Sequence, residues 1–234
     1  GVKHFISNGG VADIYTIVAQ TNKSKGARGI SMFIVEKDHP GFTFGKKEDK
    51  LGIRASQTRE LIFQDCRVHK DQLIGGKEGR GFMTVMKTFD HSRPGVAAQA
   101  IGVAQGAYEL AVAYAHERKQ FNQSISSFQG IQWMLADMAM KTEAARALLY
   151  SVARMVDRGE SGVSPYSAMA KCYCSDVAME VTTNAVQIFG GYGYIKEYPI
   201  EKFMRDAKIY QIYEGTNQIQ RTIVALQLIK EFSK

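Results

Sequence analysis

Gly75-Gly76-Lys77-Glu78-Gly79-Arg80-Gly81 is the stretch on which the fold turns, because the residue pattern before it differs in kind from the pattern after it. Upstream, from Val2 to about Leu73, short runs rich in β-branched and aromatic residues recur: Ile14-Tyr15-Thr16-Ile17-Val18-Ala19, Ile30-Ser31-Met32-Phe33-Ile34-Val35 and Glu60-Leu61-Ile62-Phe63. Breaks containing Gly, Asn and Asp separate them at hairpin-like spacing, which predicts an antiparallel sheet or barrel rather than βαβ units. Downstream, Ala97, Ile101, Ala104, Tyr108, Ala111 and Ala115 recur at steps of four and three over about Ser92 to Arg118, the period of a helix. Further helical segments run from about Ser127 to Asp157 and Ser164 to Phe189, with a short one near Ile200 to Tyr210 and a last one after Gly215. Small residues in their interiors allow helices to pack about 8 Å apart. The expected fold class is α+β: residues 1–77 form part of an antiparallel β domain, and residues 78–234 an antiparallel C-terminal domain of the four-helix-bundle type, with four or five helices.

The chain has 234 residues, 45% of them hydrophobic, enough for a sizeable core. It opens with Gly1-Val2-Lys3, already strand-like and without a methionine, so the expectation is the C-terminal part of a longer polypeptide. Lys and Arg number 30 against 23 Asp and Glu, but the basic residues are scattered. They read as a solvated surface or as a site for a polyanionic small molecule such as a nucleotide or coenzyme A. No motif for nucleic acid appears. Cys66, Cys172 and Cys174 cannot make a fully paired framework, and the last two, spaced i, i+2, point to different faces of a helix. A reducing compartment, cytoplasmic or the mitochondrial matrix, and no metal site are expected. No run approaches the ~18 apolar residues of a membrane span, and no signal peptide is evident.

Four windows hold candidate chemistry. In Ile212-Tyr213-Glu214-Gly215-Thr216-Asn217-Gln218, a glycine beside a carboxylate lets main chain approach a ligand and aims the acid. Gln187-Ile188-Phe189-Gly190-Gly191 ends a helix with glycines, either as a left-handed cap or to let a phosphate reach the backbone. Ala115 to Phe121 closes a helix with cations, which offset the helix dipole or bind phosphate. Phe89-Asp90-His91-Ser92-Arg93-Pro94 breaks a helix and restarts it, with Pro94 in the first turn and Ser92 or Asp90 as the cap.

Together with Lys3 to Gly9 and Met204-Arg205-Asp206-Ala207-Lys208, these windows, in this order, resemble the flavin-dependent acyl-CoA dehydrogenases of the short-chain or butyryl-CoA type, over essentially the whole chain. The resemblance implies a middle β domain in its later part and the C-terminal helical domain, assembled as a homodimer or homotetramer. It implies FAD as cofactor, an acyl-CoA as substrate and an electron-transfer flavoprotein as acceptor. By position, Glu214 stands where the family has its catalytic base. Some relatives place the base at the position of Ser92, but a serine cannot do that work. Phe5-Ile6-Ser7 stands where the family usually has Trp-Ile-Thr against the flavin ring. Arg118, Gln129, Gln187, Ile188, Phe189, Gly190 and Gly191 correspond to FAD contacts, in part from a neighbouring subunit, and so do Thr216, Asn217 and Gln218. Asp90, His91, Ser92, Arg93 and Gly215 correspond to substrate and coenzyme A contacts.

The implied reaction is α,β-dehydrogenation to a trans-2-enoyl-CoA. An α-proton beside a thioester is weakly acidic, and raising the basicity of a carboxylate by two to three pKa units through desolvation corresponds to roughly 3 to 4 kcal/mol. Short acyl chains are expected because Gln99 stands where longer-chain members tend to carry a smaller residue. An enoyl-CoA reductase, an acyl-CoA oxidase, and a truncated assembly module without activity remain open alternatives.

Overall fold

Strands β2 (Ile14–Gln20), β3 (Ile30–Glu36) and β5 (Thr58–Phe63) form where the three β-branched and aromatic runs lie, and β1 (Val2–Ser7) and β4 (Phe42–Lys47) join them. In this computed structural model, which describes residues 1–233, they belong to one compact unit, Gly1–Thr88, and the helices from Phe89 onward to a second. The strands pair antiparallel, as the spacing predicts, in the order β1-β5-β4 and as a β2-β3 hairpin. Alternation along β2 turns Tyr15 and Ile17 inward to meet Val35, Phe42 and Leu61 in a buried core. Phe42 stacks on Phe63 with centroids 4.7 Å apart and meets Tyr15 edge-on at 5.1 Å.

Strand β4 had no clear signal, since Gly45 and two lysines dilute Phe42-Thr43-Phe44. Gly45 is required there because a Cβ would lie 2.7 Å from Glu60 Oε2 on the paired strand. In β1 the register slips between Lys3 and Ile6, and Phe5 takes a φ of 56°. Such a bulge re-aims a side chain: Phe5 is 75% exposed, whereas Ile6 packs against the core.

The helices are α1 (Gly81–Glu117), α2 (Gln129–Asp157), α3 (Val163–Phe189), α4 (Ile200–Ala207) and α5 (Asn217–Phe232), with a small hairpin of β6 (Lys119–Gln120) and β7 (Gln123–Ser124) between α1 and α2. One expectation needs correction: α1 neither breaks nor restarts at Phe89 to Pro94, and Pro94 lies inside it. Proline removes the N–H that would bond the carbonyl four residues back, which is that of Asp90. That carbonyl instead accepts from Ser167 Oγ of α3 at 2.6 Å. Neither Ser92 nor Asp90 is a cap; Ser92 Oγ bonds Glu214 and the Asp90 carboxylate lies 3.5 Å from Arg93.

Helix α3 is the axis of the second unit. It packs on α2, α4 and α5 and reaches α1 through Ser167 and through Phe189, whose ring stacks on Tyr114 at 4.1 Å. Packed between these helices, it buries Ala168, Ala170, Ala178 and Ala185 together with both of its cysteines, while Tyr166 and Tyr173 stay exposed. Burial pushes the Cys174 thiol up to about 12. Helices α1 and α4 touch where Gly106 leaves room, since a Cβ there would sit 2.9 Å from the Phe203 ring. Among the described residues no helix is long and apolar enough to cross a membrane.

Candidate active site

A 3-10 turn, Lys208–Gln211, leads from α4 into Ile212-Tyr213-Glu214-Gly215-Thr216, and Thr216 caps α5 by accepting from Ile219 N–H at 3.4 Å. Glu214 and Gly215 take φ values of 52° and 93°, two successive left-handed residues that turn the chain sharply. For a glutamate this costs about 1 to 3 kcal/mol and persists only where the surroundings enforce it. Here the Glu214 carbonyl accepts from Arg93 Nε at 3.3 Å and Gln220 Nε2 at 3.2 Å. The Gly215 carbonyl accepts from Lys171 Nζ at 2.8 Å and Gln220 Nε2 at 2.9 Å. The half-buried Glu214 carboxylate accepts from Ser92 Oγ at 2.6 Å through Oε2. Helices α1, α3 and α5 thus all reach this turn.

The cations beside the turn are buried. Arg93 is 5% exposed, lies 3.5 Å from the Asp90 carboxylate and sets its guanidinium 5.6 Å from the Phe89 ring centre. Burial lowers its pKa, against the opposing pull of Asp90 and Glu214. Lys171 is fully buried, and its ammonium also donates to Asn217 Oδ1 at 2.8 Å. The other end of the Asn217 amide donates to Ser175 Oγ and Asp176 Oδ1, both at 2.8 Å. Asp176 in turn receives Arg221 at 2.5 Å and Gln211 at 2.7 Å.

Burial pushes the Lys171 ammonium down to about 8 from 10.5. The unfolded chain then binds the proton more tightly than the folded one, so stability rises with pH between these values and the cost of burial is fully present below about 8. Urea unfolding of the protein and of Lys171→Met should show this difference: over that window the parent gains on the variant by at most about 1.4 kcal/mol per pH unit. Parallel pH profiles would rule it out.

Away from the turn, a cleft of about 560 Å³ gathers Tyr114, Arg118, Ile188, Phe189, Gly190 and Gly191. Helix α3 ends there because Gly190 adopts φ 60°, its N–H turning back to the Gln187 and Val186 carbonyls. A Cβ at Gly190 or Gly191 would meet nothing within 4 Å, so the main chain is unshielded. The Arg118 guanidinium lies 5.4 Å from the Tyr192 ring centre. Another recess, of about 500 Å³, is bordered by Thr216, Asn217 and Gln218 with Lys208 and Arg221.

The turn thus brings Ser92, Arg93, Glu214 and Gly215 together, with Asp90 through Arg93. The glycine cleft brings together Arg118, Ile188, Phe189, Gly190 and Gly191. Gln129 and Gln187 are exposed and line neither recess, and His91 is exposed on α1. Phe5, Ile6 and Ser7 belong to the β unit, with Ser7 exposed. Sequence reasoning missed Lys171 and Gln220. The lysine had a signal, since it interrupts the small and apolar run Ala168-Met169-Ala170-Lys171-Cys172; Gln220 had none.

The model of the acyl-CoA dehydrogenase C-terminal domain matches residues 79–229, and that of the acyl-CoA dehydrogenase middle domain matches residues 1–66. The chain belongs to the acyl-CoA dehydrogenase family. It is 56% identical over 230 residues to the Mycobacterium tuberculosis protein called probable acyl-CoA dehydrogenase FadE25, covering 98% of this chain and 59% of that one. It is 52% identical over 230 residues to the acryloyl-CoA reductase (NADH) of Anaerotignum propionicum, covering 98% and 58%. The solved butyryl-CoA dehydrogenase of Megasphaera elsdenii superposes with a TM-score of 0.95 at 53% identity, covering 98% of this chain and 59% of that one. The chain therefore spans about 59% of the length of the first curated relatives it matches.

Proposed function

We propose that this chain is the part of an FAD-dependent acyl-CoA dehydrogenase that carries the catalytic base, Glu214. The observation that supports this reading best is the half-buried carboxylate itself, bonded to Ser92 and mounted on a left-handed turn that side chains from three helices hold. With Oε2 engaged by Ser92, Oε1 is the oxygen that takes the α-proton of an acyl thioester. Negative charge then develops on the thioester oxygen, and a backbone N–H at Glu214 stabilises it; a donor of this kind contributes about 2.7 to 4 kcal/mol.

Bound FAD supplies the acceptor for the β-hydride, so that proton and hydride loss together give the trans-2-enoyl thioester. The residues fit such a cofactor: an adenosine diphosphate moiety would meet aromatic rings, the Arg118 cation and unshielded glycine backbone in the cleft at Gly190, where anions favour exposed N–H groups. Thr216 and Gln218 border the other recess and would add polar contacts. The β unit, taken by itself, exposes Phe5 and Ser7, a ring and a hydroxyl of the kind that flavin contacts need. We assign electron-transfer flavoprotein as the acceptor and a homodimer or homotetramer as the assembly.

The full-length protein should carry a flavin absorbance that is lost on anaerobic addition of butyryl-CoA; an unchanged spectrum would overturn the assignment. Short chains are favoured because a side chain as bulky as Gln99 would shorten an acyl cavity; its Oε1 accepts from Tyr213 Oη at 3.0 Å, which sets it beside the residue next to Glu214. Gln99→Gly should shift the ratio of kcat/KM values toward longer acyl-CoA substrates, by roughly tenfold for space equivalent to one or two methylenes. An unaltered chain-length preference would remove this argument. The relationship to an acryloyl-CoA reductase favours a second reading, enoyl-CoA reduction on the same site. Consumption of NADH with acryloyl-CoA, in the absence of reduction by butyryl-CoA, would select it.

A further inference from the structure

The carbonyls of Glu214 and Gly215 are each held by two side-chain hydrogen bonds, and no donor comes from the turn itself. Two of these donors are poorly suited to stabilising a fold. Lys171 is fully buried, forms no ion pair within 4 Å among the described residues, and spends its ammonium on two neutral oxygens, Gly215 O and Asn217 Oδ1. A buried charge facing only neutral partners is expensive, and a methionine would fill the same space without that cost. Gln220, also fully buried, directs its amide nitrogen to both carbonyls while its Oε1 has no partner. Leaving such an atom unpaired is likewise unfavourable. What the pair achieves is geometric: if Glu214 relaxed to negative φ, its carbonyl and the next would rotate away from these donors.

We propose that Lys171 and Gln220 are positioning residues for Glu214, a clamp on two consecutive carbonyls that selects the left-handed turn and thereby aims the carboxylate. This rests on Glu214 being the base. Arg93 supports the same turn from α1, whereas Lys171 and Gln220 share one carbonyl, that of Gly215, and so act as a unit.

The test uses the full-length flavoprotein with Lys171→Met, Gln220→Met and the double variant, assayed with butyryl-CoA. A misaimed base loses rate without losing binding, so each single variant should lower kcat about 100-fold, with KM and FAD content near those of the parent. The double variant should be little worse than the slower single one, because either substitution releases the turn. An undiminished kcat, a loss carried in KM or FAD content, or two losses that multiply would each overturn the clamp. Should Lys171→Met fail to fold, Gln220→Met decides by the same kcat-against-KM criterion. Parent protein that butyryl-CoA does not reduce, or a Glu214→Gln variant that is reduced normally, would instead overturn the assignment of the base.

Discussion

Glu214→Gln is expected to leave FAD bound and slow its reduction by butyryl-CoA by about 100- to 10,000-fold, the range contributed by a positioned general base. The substitution preserves shape. A glutamine oxygen can still accept from Ser92 Oγ, now at 2.6 Å from Glu214 Oε2, and the carbonyl clamp does not involve the side chain. What is lost is the capacity to take a proton. Rapid-mixing measurements of flavin absorbance under anaerobic conditions report that step directly. Reduction at a near-parental rate would move the base to another residue, and loss of bound FAD would mean that the turn has a structural role the geometry does not require.

Gly215→Ala should be the next most damaging single change, by a different route. Its φ of 93° is one that side chains rarely tolerate, and the added Cβ would lie 2.6 Å from Gln220 Nε2 and 3.5 Å from an Arg93 nitrogen. Gln220 is buried and already committed to two carbonyls, so it cannot yield without releasing them. The expected result is a fall in kcat of about 100-fold, as for an ångström-scale misplacement of a reacting group. It should be accompanied by a loss of stability of about 1 to 3 kcal/mol from backbone strain. Denaturant unfolding and steady-state kinetics on the same preparation separate the two effects; a parental kcat would show that the turn accommodates the methyl group without shifting Glu214.

The architecture was legible because periodicity reports burial. Strands β2, β3 and β5 and helices α2 and α3 begin and end within a few residues of the expected positions. Strand β4 escaped because Gly45 and two lysines dilute its own pattern, and it is its pairing with β5 that marks it as a strand. Pro94 misled because a proline inside a helix is judged locally as a breaker, while the repair comes from Ser167, 77 positions away from the carbonyl it satisfies. The same limit applies at the candidate site. The acid and its glycine stand out as neighbours, but the Ser92 hydroxyl that meets Glu214 is separated from it by 122 positions. Lys171 and Gln220 act on backbone carbonyls, which no residue pattern displays.

The missing rung at Pro94 also makes the continuity of α1 a property shared with α3. Without the Ser167 hydroxyl, the Asp90 carbonyl would be left facing a ring that cannot answer it. The long rod would then tend to part into two shorter pieces next to Arg93, the residue that reaches from α1 to the turn. Docking of the central helix thus splices the outer one, and integrity at this joint passes directly into the alignment of the acid more than a hundred residues downstream.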